Sequence, residues 1–171
     1  AIFVDDKGRK LLTEKVGLLL IRRVLSEKKG ATIVANASCS MIVDEEVKRL
    51  GGKIVRSRVG DVFVSKVVKE CNAVLGIEMS AHFFLPMLGY YFDDAIAASL
   101  AIAAELEKME EKLSEIIDKI PSYPLKRTNI ECPDRIKFKV IEKLTEELRA
   151  EDYNIDTIDG VRINLENGWI I

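Results

Sequence analysis

The sequence has few of the residues on which disulfide frameworks and zinc sites depend, since its 171 residues include three cysteines and one histidine. Cys39, Cys71 and Cys132 lie far apart and form no C-x-x-C pair, so neither a disulfide scaffold nor a zinc knuckle is expected. Free cysteines favour a reducing compartment, and we therefore expect a cytoplasmic location. A catalytic thiol has no support in this pattern, because free cysteines are commonly just buried.

Long apolar runs and an excess of one charge are also missing. The stretch 16–21 is far too short to cross a bilayer, and charged residues at 5–7 interrupt any signal-peptide pattern. With 26 basic and 28 acidic residues the net charge is −2, so neither a nucleic acid nor a membrane partner is expected. The remaining composition, 48% hydrophobic and 32% charged, fits one globular domain with or without a smaller piece.

Strand-like and helix-like segments alternate over the first 120 residues. The predicted strands cover 2–4, 31–35, 53–56 and 73–76, and the predicted helices cover 14–28, 44–50, 62–70 and 94–120. This alternation predicts an open α/β layer with a mainly parallel sheet. Ligands of such sheets gather at the carboxyl ends of the strands, where the loops 57–61 and 77–92 carry polar residues.

The pattern changes after residue 122, at a linker that contains Pro124. A strand over 126–130, a helix over 136–149 and a hairpin of 161–165 with 169–171 are typical of α+β structure. We therefore predict an α/β domain at 1–122 and a truncated α+β domain at 123–171. The abrupt first and last strands predict that the chain is a fragment of a longer protein.

The densest polar cluster lies in the loop after the fourth predicted strand. Glu78, Ser80 and His82, the only histidine, fall within five residues. A carboxylate can accept from two neighbouring hydroxyls, a serine both donates and accepts, and a histidine exchanges a proton near neutral pH. The alternative interpretation is that His82 is a satisfied structural residue and that Glu78 is simply solvated.

A second cluster precedes the third predicted helix. Gly60 allows a ligand to approach the backbone closely, and Arg56 and Arg58 are candidates to pair with an anion. Asp61 is a candidate substrate contact, or alternatively only the cap of the helix that follows. A third polar segment, 36–40, is either a ligand loop or a helix cap made by Ser38 or Ser40. No metal ligands are assigned, because adjacent turn residues such as Asp5 and Asp6 rarely converge on one ion.

The segment Gly76-Ile77-Glu78-Met79-Ser80-Ala81-His82, followed by Phe83-Phe84 and Phe92-Asp93-Asp94, resembles the α-D-phosphohexomutase family. This family includes phosphomannomutase/phosphoglucomutase and phosphoglucosamine mutase, and its sugar loop reads Gly-Glu-Met-Ser-Gly-His. Ala81 stands where the family has its second glycine. Val59-Gly60-Asp61, and Asp159-Gly160-Val161-Arg162 with Gly168-Trp169, also resemble family stretches, so the resemblance covers nearly the whole chain.

The resemblance implies a role for each matched residue. His82 would be catalytic, beside the transferring phosphoryl group, and Glu78 and Ser80 would hold two sugar hydroxyls. The full set of implied substrate-binding residues is Arg58, Gly60, Asp61, Glu78, Met79 and Ser80. The fold implied is that of the third domain of a four-domain enzyme and the start of its fourth.

The resemblance also implies an isomerase that moves a phosphoryl group between the 1- and 6-positions of a hexose. In the family a phosphoserine donates the group, an Asp-x-Asp-x-Asp loop binds Mg²⁺, a hexose 1,6-bisphosphate is the activator, and a fourth-domain loop holds the phosphate. None of these elements lies in this sequence, so the remaining mutase domains are implied partners and the segment alone is expected to be inactive.

The preferred hexose phosphate stays open at this point. The resemblance implies mannose and glucose phosphates through Glu-Met-Ser in the sugar loop, whereas Val-Gly-Asp resembles phosphoglucosamine mutase and implies glucosamine phosphate. A different class of function also stays open, namely a non-catalytic module that binds a ligand or a protein partner; Ala81 is the only internal feature that favours it.

Overall fold

The computed structural model describes residues 1–171, and its contacts divide the chain into two compact units, Ala1–Ser122 and Tyr123–Ile171. The helices of the first unit are α1 (Thr13–Glu27), α2 (Met41–Arg49), α3 (Asp61–Glu70), α4 (Ala95–Leu106) and α5 (Leu113–Asp118). Its strands are β1 (Thr32–Asn36), β2 (Lys53–Ser57), β3 (Leu75–Ile77) and β4 (Phe83–Phe84), and a 3₁₀ helix covers Pro86–Leu88. No helix is both long and apolar enough to cross a membrane.

The four strands form one sheet in the order β2-β1-β3-β4. Strand β1 pairs in parallel with both β2 and β3, and β4 pairs antiparallel with β3 at the edge. Ile33, Val34 and Ala35 of the central strand are fully buried, as expected of a parallel strand with both faces covered. The predicted α/β fold with a mainly parallel sheet is confirmed.

Helices cover both faces of this sheet because the crossovers run in opposite directions. The chain passes from β1 to β2 through α2 and returns past β1 to β3 through α3. Right-handed crossovers in opposite directions place their helices on opposite faces. Accordingly α3 packs on β1, β2 and β3, whereas α1 packs against β3, α2 and α4.

Strand β3 is tightly packed just before the polar loop that follows it. A Cβ on Gly76 would lie 2.7 Å from Cγ2 of Val68 in α3, so no larger residue fits there. A Cβ on Gly17 of α1 would lie 3.1 Å from Cδ1 of Ile77. Small residues thus bring a helix close to β3 from each face, and the loop starting at Glu78 leaves a closely packed strand.

Three predictions about the first unit are wrong. The predicted strand at 2–4 is only an isolated bridge between Val4 and Lys10, and the predicted loop 77–92 contains β4. The predicted helix 94–120 is two helices, α4 and α5. The second is held by distant groups: Ser114 donates from its backbone N and its Oγ to Asp6, at 2.9 and 3.0 Å. Nζ of the buried Lys15 donates to the carbonyl of Ile120 at 2.7 Å.

The second unit contains helix α6 (Lys137–Ala150) and strands β5 (Ile155–Asp156), β6 (Arg162–Leu165) and β7 (Gly168–Ile170). The strands form an antiparallel sheet in the order β5-β6-β7. The predicted helix and hairpin are therefore present. The predicted strand at 126–130 is wrong, since that segment has no regular secondary structure.

Candidate functional site

Three loops leave the carboxyl ends of the parallel strands on one edge of the sheet. They are the segment 36–40, which begins with the last residue of β1, and the segments 58–60 and 78–82, which follow β2 and β3. Asn36 is in register with Ser57 on one side, and Ala35 is in register with Ile77 on the other. Because β1 lies between β2 and β3, its last residue borders both neighbouring loops.

The Glu78 carboxylate joins these loops. Its side chain is 1% exposed, and its Oε1 accepts from Nδ2 of Asn36 and from the backbone N of Gly60, each at 2.8 Å. Its Oε2 lies 3.0 Å from Nδ1 of His82. The alternative interpretation that Glu78 is simply solvated is therefore wrong: this carboxylate is buried and satisfied by groups of the protein itself.

His82 lies at the end of the 78–82 loop with its ring half-buried against Glu78. The side chain is 40% exposed, so the imidazole spans from the buried carboxylate to the surface. An ionised carboxylate only accepts hydrogen bonds, so Nδ1 must be the donor in this contact. The neutral ring then keeps a lone pair on Nε2, which can accept a hydrogen bond or take up a proton.

Gly60 brings the 58–60 loop to Glu78 through its backbone. Its φ of +123° is a conformation that side-chain-bearing residues rarely adopt, and this turn directs the amide towards the carboxylate. Gly60 is also the N-cap of α3, so the prediction that Asp61 caps this helix is wrong: Asp61 is its first residue and is exposed. The guanidinium of Arg58 lies 4.4 Å from the ring centre of Phe63.

The middle of the 78–82 loop faces a different cleft. Met79, Ser80 and Ala81 line a space of about 230 Å³ together with the segment that leads into α1, which contributes Lys10 and Thr13. Ser80 is exposed and Met79 half-buried. The structure therefore brings together Glu78, Gly60 and His82, whereas Ser80 and Met79 line the neighbouring cleft and Asp61 and Arg58 border the loop after β2.

The 36–40 loop is fixed by two charged side chains. Arg56 donates to the carbonyls of Asn36 and Cys39 at 2.7 and 3.0 Å and pairs with Asp44, so it braces the loop rather than offering itself to an anion. Ser40 is the N-cap residue of α2, as one interpretation of this segment predicts, but its side chain makes no capping hydrogen bond. Its Oγ and its backbone N instead donate to the buried Glu14 carboxylate, at 2.7 and 2.9 Å.

Cys39 contributes packing and weak hydrogen bonds from its thiol to Asn36 and to the carbonyl of Ile77. Burial raises the pKa of its thiol to about 12, so the thiol stays protonated at neutral pH and is not a nucleophile. Its Sγ lies 3.3 Å from Oδ1 of Asn36, at a distance suited to an S–H donor. The sequence placed Asn36 in a candidate ligand loop, 36–40, without distinguishing it from the other residues of that segment; its own signal was a polar side chain directly after a predicted buried strand.

Ala81 adopts a backbone conformation that favours glycine, with φ of +74°. We expect Ala81→Gly to leave the free energy of unfolding unchanged or to raise it by up to about 1.6 kcal/mol. Removing the steric strain of an alanine in the left-handed conformation stabilises the folded chain by about 1–2 kcal/mol. The greater conformational freedom of glycine in the unfolded chain offsets about 0.4–1 kcal/mol of this gain. Urea unfolding measures the difference. Ala81→Val is the matched control and should lower the free energy of unfolding, because β-branched residues tolerate positive φ worst. A clear loss of stability in the glycine variant would contradict this account.

Comparisons with known proteins point to one group of relatives. A family described as "Phosphoglucomutase/phosphomannomutase, alpha/beta/alpha domain III" matches residues 13–123. A probable phosphoglucosamine mutase of Methanopyrus kandleri is 35% identical over 170 residues, which is 99% of this chain and 37% of that protein. A phosphoglucosamine mutase of Methanocaldococcus jannaschii is 36% identical over 172 residues, 99% of this chain and 38% of that protein. The chain thus spans somewhat more than a third of these relatives.

Solved structures share the fold. A phosphoglucomutase/phosphomannomutase family protein of Burkholderia thailandensis superposes with a TM-score of 0.82 at 24% identity, covering 98% of this chain and 36% of that one. An N-acetylphosphoglucosamine mutase of Aspergillus fumigatus, solved in complex with glucose 1,6-bisphosphate, gives a TM-score of 0.57 at 14% identity, covering 98% and 41%. At these identities the likeness establishes the fold alone.

Proposed function

Because the chain belongs to the phosphoglucomutase/phosphomannomutase family, we propose that it is the sugar-recognition part of a phosphohexomutase. The complete enzyme would interconvert hexose 1-phosphate and hexose 6-phosphate through a bisphosphate intermediate. The observation that carries this proposal is the 78–82 loop, which combines a buried carboxylate, an exposed hydroxyl and a half-exposed imidazole at the carboxyl edge of a parallel sheet.

The contacts within the site limit how Glu78 can bind a sugar. A carboxylate offers about four lone-pair positions, and Asn36, Gly60 and His82 occupy three of them here. With these contacts in place, one acceptor position of Glu78 is left for a sugar hydroxyl, and Ser80 would bind the second hydroxyl. Two adjacent hydroxyls held in this way let either end of the hexose point towards the phosphoryl donor.

The other site residues complete the same proposal. His82 would take the proton of the attacking hydroxyl through Nε2, which makes it the catalytic residue of this segment. Gly60 and Asp61 would contact the sugar from the loop after β2, and Arg58 would border it. Met79 lines the cleft beside Ser80 and would contact the sugar ring.

Mg²⁺ and a phosphoserine would be supplied by the rest of the enzyme. The 171 residues hold no group of three or more histidine, cysteine, aspartate or glutamate side chains that could bind a metal ion. We therefore assign no step within this chain to the ion, and its proposed partners are the remaining mutase domains and the hexose phosphate. We also propose a cytoplasmic location, because the three cysteines are free.

The relatives favour one substrate. The Methanopyrus and Methanocaldococcus proteins described above are both named phosphoglucosamine mutases. Glucosamine phosphate is therefore a candidate substrate beside glucose and mannose phosphates, and it is the one that the names of these relatives support. The decisive position would be the 2-substituent of the sugar, because glucosamine phosphate carries an amine there, which is a cation when protonated, whereas glucose and mannose phosphates carry a neutral hydroxyl.

The test separates binding from turnover. We expect glucose 6-phosphate, mannose 6-phosphate and glucosamine 6-phosphate to shift amide NMR signals of the ¹⁵N-labelled chain at residues 60–61 and 78–82, with millimolar affinity. We expect no mutase turnover by this chain alone, even with Mg²⁺ and a hexose 1,6-bisphosphate, because phosphoryl transfer needs the donor and the ion. The absence of shifts at these loops would overturn the sugar site, and turnover by the 171 residues would overturn its dependence on other domains.

A further inference from the structure

Asn36 is a buried polar residue to which the proposed function gives no role beyond occupying one lone-pair position of Glu78. Its side chain lies at the end of the central strand, 1% exposed, with Nδ2 2.8 Å from Oε1 of Glu78. It is held on its other side by the thiol of Cys39 at Oδ1, and its carbonyl accepts from Arg56. The amide orientation follows from its partners, because a carboxylate only accepts hydrogen bonds and must therefore face Nδ2.

We infer that Asn36 is a positioning residue for this site. By holding Oε1 of Glu78, together with the backbone of Gly60, it keeps Oε2 on Nδ1 of His82. It thereby fixes the imidazole in the tautomer that carries its proton on Nδ1 and its lone pair on Nε2.

The geometry explains why a second donor is needed at Oε1. The Gly60 amide comes from a loop, and one hydrogen bond to a carboxylate leaves it free to rotate about its last side-chain bond. Asn36 extends from a strand that is paired on both sides and braced by Arg56. Two donors from different directions fix the plane of the carboxylate, and this plane determines where the other oxygen meets His82.

The consequence for catalysis rests on the proposed function. A proton-accepting histidine must present an unprotonated nitrogen towards the substrate, and in this arrangement that nitrogen is Nε2 on the exposed side of the ring. Asn36 does not touch the substrate in this account. It acts through Glu78, so its replacement should lower turnover more than it changes substrate affinity.

The tautomer of His82 can be measured directly, because it is the only histidine of the chain. Long-range ¹H–¹⁵N correlation spectra identify which ring nitrogen carries the proton in the neutral ring, at about pH 8.5. We expect the Nδ1–H form to predominate in the wild-type chain. In Asn36→Leu, which has a similar shape and no donor, we expect the population to move towards that of the same chain unfolded in urea.

Further variants fix the interpretation. Glu78→Gln should reverse the tautomer, because its oxygen stays with the two donors and its amide then donates to Nδ1. Ser38→Ala changes the same loop and should leave the tautomer unchanged. Asn36→Ser, too short to reach Glu78, replaces Asn36→Leu if that variant does not fold. An Nε2–H form in the wild type, or an unchanged tautomer in a folded Asn36 variant, would overturn the inference.

The tautomer and the turnover rate together distinguish failure of this inference from failure of the proposed function. In the complete enzyme we expect Asn36→Leu to lower kcat by about tenfold with little change in KM. A shifted tautomer with unchanged kcat would keep Asn36 as the positioning residue and would refute the proton-accepting role of His82. An unchanged tautomer with intact sugar binding would refute only the positioning role.

Discussion

Replacing Glu78 with alanine should lower the mutase activity of the complete enzyme by about tenfold or more and the free energy of unfolding of this chain by about 3 kcal/mol. The loss of stability follows from burial: the change leaves the buried amide of Asn36 and the half-buried backbone N–H of Gly60 without an acceptor and opens a cavity where the side chain was. The loss of activity follows from the missing sugar contact and a released His82. Urea unfolding and a coupled mutase assay measure the two effects.

Two controls separate these effects. Glu78→Gln retains the volume and an oxygen for the two donors, so we expect about 1 kcal/mol of destabilisation with activity still clearly reduced. Glu70→Ala removes an exposed carboxylate from α3, and both quantities should stay close to the wild-type values. Wild-type activity in a folded Glu78→Ala enzyme would refute the sugar contact assigned to this residue.

Acid should destabilise the chain through Glu46. Hydrogen bonds from Arg49, at 2.7 and 2.8 Å, and pairing with Arg22 outweigh the opposing effect of burial and lower the pKa of this carboxyl from 4.5 to about 2. The unfolded chain takes up the proton near pH 4.5, whereas the folded chain does so near pH 2. The stabilisation is therefore complete above pH 4.5 and is lost as the pH falls towards 2.

We expect this loss to be about 2 kcal/mol, less than the full shift implies, because Arg49 is largely exposed and its interaction is screened. Urea unfolding at pH 6, 4.5 and 3 measures the slope. Other carboxylates titrate in the same range, so the quantity to compare is the difference between the wild type and Glu46→Gln. Parallel pH profiles for the two proteins would show that Glu46 does not carry this effect.

Much of the fold could be predicted because its signals are local. Alternating strand and helix periodicities identified the α/β layer, and strands of such a layer end on one edge of the sheet. The break between α4 and α5 could not be predicted in this way, because the apolar spacing continues through it. Contacts of Ser114 with Asp6 and of Lys15 with Ile120 hold α5, and these pairs lie about 100 residues apart in the sequence.

The residues of the candidate site likewise include some that local sequence signals predict and one that they do not. Glu78, His82 and Gly60 could be singled out because they lie in short, recognisable loops, and the structure brings these three together. Asn36, the other partner of Glu78 at Oε1, could not be singled out, because its place beside Glu78 depends on which strand lies in the middle of the sheet. Periodicity does not give strand order, so nothing in the sequence indicated that Asn36 would face a carboxylate 42 residues away.

The hydrogen bond from the Gly60 backbone to Glu78 also makes one amide a reporter of the whole cluster. Its hydrogen can exchange with deuterium from solvent only when the 58–60 loop separates from the buried carboxylate, so its exchange rate gives the free energy of that opening. A sugar phosphate that binds only the closed arrangement would slow this exchange in proportion to its occupancy. Ligand affinity could thus be read at a residue whose side chain is a single hydrogen atom.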